Sequence, residues 1–282
     1  MKYGMNLLLW TGEMNDDMIP VVESLKEMGY DGVELPLFAY DLDLHIKWGE
    51  RLDSIGLERT IVTVRGEEDN PISSDPTVRA LGVANNKEAL DNAAAVGAQN
   101  LVGPYHSALG IFSGAGPTED EWKWGVDSMR QVAEHAGSVG VMLGVECLNR
   151  FETYLLNTHS DAARFVREVD HPNCRMMYDT FHSNIEEKNI ADAIRSCQDV
   201  LTHVHISEND RSTPGTGNVN WQENFDTLME VGYDGWMVVE AFGLALPEIA
   251  AATKIWRRMY DSEEQLARDA LAFMKQEVGA RQ

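Results

Sequence analysis

Along the 282 residues, apolar and polar positions repeat one phrase: an amphipathic stretch, a glycine, and within a few residues a short apolar run. It occurs as "KEMGYDGVELP", "DSIGLERTIVTV", "AAVGAQNLVGP", "GSVGVMLGVE" and "MEVGYDGWMVVE". A glycine past the last helical turn accepts the left-handed cap conformation, so each instance reads as helix, cap, strand. The first and last are nearly the same, "MGYDGVE" and "VGYDGWMVVE", as equivalent structural units would be. Eight apolar runs result, at about 3–10, 32–36, 59–65, 100–104, 141–148, 174–181, 201–207 and 235–242. Helical patterns such as "DDMIPVVESLKEMG" and "THSDAARFVREV" separate them, with Thr158, Ser160 and Asn220 placed as helix caps. Strict alternation of strand and helix means parallel strands, and eight such units predict a single-domain (β/α)8 barrel over residues 1–282. The amphipathic segment from about 261 is its closing helix. The alternative, a doubly wound open sheet, lacks support, because "LLLWTGEMND" after the first strand matches no Gly-rich phosphate loop.

Composition narrows the function more than the fold. A formal net charge of -23 repels phosphate backbones, which excludes nucleic acid as the expected partner. No uncharged apolar run reaches membrane-spanning length, and the N-terminus lacks the apolar region and cleavage site of a secretory leader. The expectation is a cytoplasmic protein without a membrane partner. Cys147, Cys174 and Cys197 form neither a paired framework nor a metal-type spacing, in keeping with a reducing compartment.

In a barrel of this kind the site lies where strands end and the following loops begin. The polar residues there are Glu34, Glu67, His106, Glu146, Asp179, His205 and Glu240, from the second to the eighth strand. The last four are 33, 26 and 35 residues apart, each close to one strand–helix unit, so four consecutive strands each deliver one metal-type ligand. Period-two alternation puts His205 on the face of His203, and Asp179 on that of Met177. Three carboxylates converging with one imidazole call for a divalent cation, and such a donor set suits Mn2+, Mg2+ or Co2+ better than thiolate-bound zinc. His203 is read as a core or supporting histidine. Glu152, His182, Glu208 and Arg211 follow the ligands by a few residues and supply the donors and acceptors that a hydroxyl-rich small molecule needs; a salt-bridge network in the loops is the competing reading for Arg150, Glu152 and Arg211.

The stretches "VECLNRFETYLLNT", "YDTFHSNIEE", "HVHISENDR" followed by "PGTG", "GYDGWMVVEAF" and "KIWRRM" resemble, in the same order, the motifs of the ketose 3-epimerases that act on D-tagatose and D-psicose (allulose). That resemblance implies Glu146, Asp179, His205 and Glu240 as ligands, usually of manganese, with Glu146 and Glu240 also the catalytic pair. It implies Glu152, His182 and Arg211 as residues that hold a ketose around its carbonyl and neighbouring hydroxyls. It further implies C3 epimerisation of a free ketohexose or ketopentose by proton exchange through a cis-enediolate, in a homodimer or homotetramer. Trp10 and His106 complete the substrate-binding candidates. The N-terminal half departs from the family pattern: Asn6, Leu7, Leu8 and Met14 stand where aromatic residues are usual, and the loops "TVRGEEDNP" and "YHSALGIFSGAGP" differ. Another sugar or hydroxypyruvate isomerase, or a dehydratase on the same metal site, is the alternative.

Overall fold

The computed structural model describes residues 1–282. Eight parallel strands close into a barrel in sequence order: β1 (Lys2–Asn6), β2 (Gly32–Pro36), β3 (Glu58–Val62), β4 (Asn100–Gly103), β5 (Met142–Val145), β6 (Cys174–Asp179), β7 (Leu201–Ile206) and β8 (Trp236–Val239). Closure is direct, with Lys2 to Met5 of β1 paired to Trp236 to Val239 of β8. The strands are shorter than the apolar runs suggest. The first ends at Asn6, whose side chain accepts from the Leu8 N–H and caps a single 3-10 turn, Leu7–Leu9.

The helical layer consists of α1 (Ile19–Met28), α2 (Leu42–Ile55), α3 (Pro76–Val96), α4 (Glu119–Val139), α5 (His159–Val169), α6 (Thr180–Glu186), α7 (Ile190–Cys197), α8 (Trp221–Glu230), α9 (Pro247–Thr253) and α10 (Glu263–Gly279). Gly29, Gly56, Gly97 and Gly140 cap α1 to α4 in the left-handed region, at φ between 75° and 97°. Thr158 and Asn220 are the N-caps of α5 and α8. The closing helix α10 lays Leu266, Ala267, Ala270, Leu271, Met274 and Val278 into the main apolar cluster between strands and helices. No helix is long and apolar enough to cross a membrane.

Two features inside the barrel set the position of the site. At the floor, the Trp236 indole fills the space left by two glycines: a Cβ on Gly32 would stand 2.5 Å from that ring and 2.4 Å from the Glu58 carbonyl oxygen, and one on Gly4 would stand 3.3 Å from it. At the mouth, a smaller apolar cluster joins Leu8, Val62, Val102, Met177 and Phe242 to Ala250 and Ile255, with Ile249 and Met259 against them. The segment from α9 to Met259 thus lies over the mouth, a placement that no periodicity in its sequence announces.

Candidate active site

Each ligand candidate stands where its strand stops. Glu146 follows the last residue of β5, Asp179 closes β6, His205 is the penultimate residue of β7, and Glu240 follows β8. Register aligns them: Asp179 is paired with His205 across β6 and β7, and the backbone N–H of Glu240 donates to Ile206. All four are buried. His205 Nδ1 lies 3.5 Å from Asp179 Oδ2 and 3.4 Å from Glu240 Oε1. One oxygen of Asp179, Oδ1, is taken up as the N-cap of α6, accepting from Phe181 and His182. Its other oxygen, Oδ2, and His205 Nδ1 have no hydrogen-bond partner although both are buried. Buried polar atoms are rarely left unpaired, and two such atoms facing the same space as the Glu146 and Glu240 carboxylates fit a hard or borderline divalent cation. Ligand atoms of Asp179, His205 and Glu240 lie within 4.8 Å of one another, as do those of Glu146, Asp179 and His182.

The electrostatics are uneven across the cluster. Burial and the neighbouring Glu240 push the Glu146 carboxyl well above the usual carboxylate range. Burial acts the same way on Glu240, but Arg211 and His205 outweigh it and hold that carboxyl at about 2. For His205, burial disfavours the charge, yet Glu34 and Glu240 prevail and raise the imidazole well above its ordinary value. The Nη1 of Arg211 donates to Glu240 Oε2 and lies 3.5 Å from Asp179 Oδ2. Its guanidinium lies 3.6 Å from the ring centre of Phe181 and 5.1 Å from that of Phe242, which fixes its plane. Arg211 has φ +64°, and its loop is tied down by Glu208. That carboxylate accepts from the N–H groups of Asn209, Gly215 and Val219 and from the Trp221 indole.

His182 Nε2 lies 3.6 Å from Glu146 Oε1 and 3.9 Å from Glu152 Oε2. Arg211 Nη2 stands 3.2 Å from the same nitrogen. Burial lowers the His182 imidazole to about 3. Glu152 is the most accessible member, with a side chain 31% exposed.

Other sequence candidates fall elsewhere. The His106 ring, in the loop after β4, is buried with neither nitrogen bonded and lies 6.2 Å from the Phe165 ring of α5. Trp10 lines a groove with Pro20, Val21, Ser24, Leu25, Met28 and Glu264, which includes none of the converging carboxylates or imidazoles. Glu67 is exposed, because the loop after β3 turns outward and Asp69 pairs with Arg65 instead. Arg150 forms a salt bridge with Glu186, and Glu208 serves its own loop. Glu34 sits within β2, below the mouth, fully buried. Asn149, which bonds His182, is a contributor the sequence did not single out, and Asn6, read there only as a departure from an aromatic pattern, caps the first turn.

Residues 22–277 match the xylose isomerase-like TIM barrel family. The chain is 33% identical over 282 residues to a D-psicose 3-epimerase of Ruminiclostridium cellulolyticum, covering 95% of this chain and 96% of that one. It is 31% identical over 289 residues to a D-psicose 3-epimerase of Agrobacterium fabrum, covering 99% and 100%. A crystal structure of D-psicose 3-epimerase with D-tagatose from Clostridium cellulolyticum H10 superposes with a TM-score of 0.91 at 31% identity, covering 99% of both chains.

Proposed function

The chain belongs to the xylose isomerase-like TIM barrel family, among its ketose 3-epimerases, and from that premise we propose that it is a divalent-metal-dependent 3-epimerase of a free ketohexose or ketopentose. The observation that carries the reading is the convergence of Glu146, Asp179, His205 and Glu240 from four successive strands, with Asp179 Oδ2 and His205 Nδ1 buried and unpaired. These four would hold the cation, Mn2+ first, with Mg2+ or Co2+ as substitutes. When bound, such an ion polarises the ketose carbonyl and stabilises negative charge on the neighbouring oxygens.

The chain's own part is proton transfer at C3. Inverting that carbon requires removal of a proton on one face and delivery on the other, which a single fixed base cannot do. Glu146 and Glu240 are the pair suited to this exchange, one accepting the proton and the other delivering it, with the roles exchanged in the reverse direction. Arg211, clamped between Phe181 and Phe242, presents N–H donors to substrate oxygens. The neutral His182 and the Glu152 carboxylate bind neighbouring hydroxyls. The strong negative charge of the chain favours an unphosphorylated sugar.

Incubation of the Mn2+-loaded protein with D-fructose, D-tagatose and L-ribulose in deuterated water tests the reading, with C3 followed by NMR. Deuterium at C3 together with the epimer is the expected result, and the relative rates rank the sugars. Protein shown to hold Mn2+ that exchanges nothing at C3 would overturn it and favour another isomerase or a dehydratase on the same barrel. Cytoplasmic location and a homodimeric or homotetrameric state belong to the same proposal, the latter read by sedimentation.

A further inference from the structure

We propose that Glu34 is a positioning residue for the metal centre: its carboxylate takes the Nε2–H of His205 and so fixes the tautomer that turns Nδ1 toward the cation. The inference rests on the reading of His205 as a ligand. Glu34 lies inside the barrel on β2, with no exposure to solvent, and its Oε1 is 2.7 Å from His205 Nε2. On the other side of the ring, Nδ1 faces Asp179 and Glu240. A neutral imidazole has one N–H and one lone pair, so a carboxylate that engages Nε2–H leaves the lone pair on Nδ1. Histidine ligands are commonly set in this way by a partner on the far nitrogen.

The competing reading is a second cation site, because ligand atoms of Glu34, His203 and His205 also lie within 4.8 Å of one another. The hydrogen bonds argue against it. Oε1 also accepts from Asn6 Nδ2 at 2.9 Å, and the Asn6 amide cannot be turned over, since its Oδ1 accepts from the Leu8 N–H at 2.8 Å. Oε2 accepts from Thr60 Oγ1 at 2.8 Å, while His203 Nε2 stands 3.0 Å away, poorly aligned for a hydrogen bond. Donors from β1, β3 and β7 therefore surround the carboxylate. A cation there would also need the His205 Nε2 lone pair, and the same ring could then ligate through Nδ1 only by losing its last N–H proton. The site is a buried carboxylate held by three strands and aimed at one ligand.

The test compares wild type, Glu34→Gln and Thr60→Val, reading the Mn2+ dissociation constant by EPR of free Mn2+ and the His205 tautomer by 15N NMR of histidine-labelled, Mg2+-loaded protein. Glu34→Gln should weaken Mn2+ binding by about 10- to 100-fold, whereas Thr60→Val, which leaves the His205 contact in place, should stay close to wild type. The wild-type spectrum should show His205 protonated on Nε2. Unchanged Mn2+ affinity in Glu34→Gln, a wild-type His205 protonated on Nδ1 instead, or a second Mn2+ per chain that is lost with Glu34, would each overturn the positioning role. If Glu34→Gln does not fold, the wild-type tautomer decides alone. A wild type that binds no Mn2+ would overturn the metal reading itself, which separates the two failures.

Discussion

The backbone N–H of Asn149 donates to Nδ1 of His182 at 3.0 Å. A backbone amide can only donate, so Nδ1 is the acceptor and the ring proton sits on Nε2, facing Glu146 and Glu152. The Arg211 Nη2 beside Nε2 is then a packed neighbour rather than a hydrogen-bond donor to it. Replacing His182 with Phe keeps the ring volume and removes both nitrogens. It should lower kcat/KM for the preferred ketose by about 100-fold or more while leaving Mn2+ affinity nearly unchanged. Steady-state kinetics beside Mn2+ titration checks both halves.

Glu146→Gln and Glu240→Gln separate the two proton-transfer roles. Each variant, measured with saturating Mn2+, should lose net epimerisation by at least about 10²-fold. Each should also retain C3 deuterium exchange from at most one epimer. Full epimerisation by both would remove these residues from the catalytic pair.

Metal binding should be opposed by protons. The His205 imidazole is raised well above its ordinary value by Glu34 and Glu240, against the effect of burial, so a cation must displace a proton from it. Mn2+ affinity should therefore rise with pH until that proton is lost, and calorimetry in buffers of different ionisation enthalpy should register proton release. Because the cation binds the folded chain, a hundredfold excess over Kd adds about 2.7 kcal/mol of stability, on the order of 5 °C in Tm. A chelator should reverse the gain and abolish activity.

Stability should fall in acid in part through His106. Burial without a partner lowers this imidazole to about 3 in the folded state, against about 6.5 unfolded. Between those values the unfolded chain binds the extra proton, so stability falls as pH drops from about 6.5 towards 3. At pH 5 the cost is about 2 kcal/mol. His106→Leu should flatten that limb of a Tm-against-pH curve and leave kcat unchanged. A loss of kcat would place the residue in the site after all.

Glu208→Ala removes the acceptor shared by Asn209, Gly215, Val219 and Trp221. It should destabilise the fold by on the order of 3 kcal/mol. KM should rise as well, because the loop carries Arg211. Denaturant unfolding and kinetics on the same preparation report both effects.

The convergence of Glu146, Asp179, His205 and Glu240 was legible because one candidate per strand–helix unit is a spacing that chance seldom repeats four times, and because strand ends are where a barrel gathers polar groups. Depth along a strand was not legible. Glu34 and Glu146 are both strand carboxylates in the sequence, yet one lies inside β2 and bonds His205 while the other stands past the end of β5. Period-two alternation tells which side a residue faces, not how far down the barrel it sits. Nor was it legible that the turn after β3 leaves Glu67 in solvent. The setting of His106 was not legible either, because beyond Gly103 the chain has left β4 and alternation no longer tells which way a residue faces. The cover formed by α9 and Ile255 is a tertiary contact between two apolar surfaces that local pattern does not connect.

The indole of Trp236, packed against Gly4 and Gly32, fills the floor of the barrel, opposite the mouth. In the proposed reaction, solvent that refreshes a proton on Glu146 or Glu240 would share with the sugar the mouth over which Phe242 and Ile255 pack. Isotope wash-in per turnover therefore also measures traffic through that opening. Widening it by trimming Ile255 would change how often the enzyme returns a proton it took from substrate, even with every catalytic group in place.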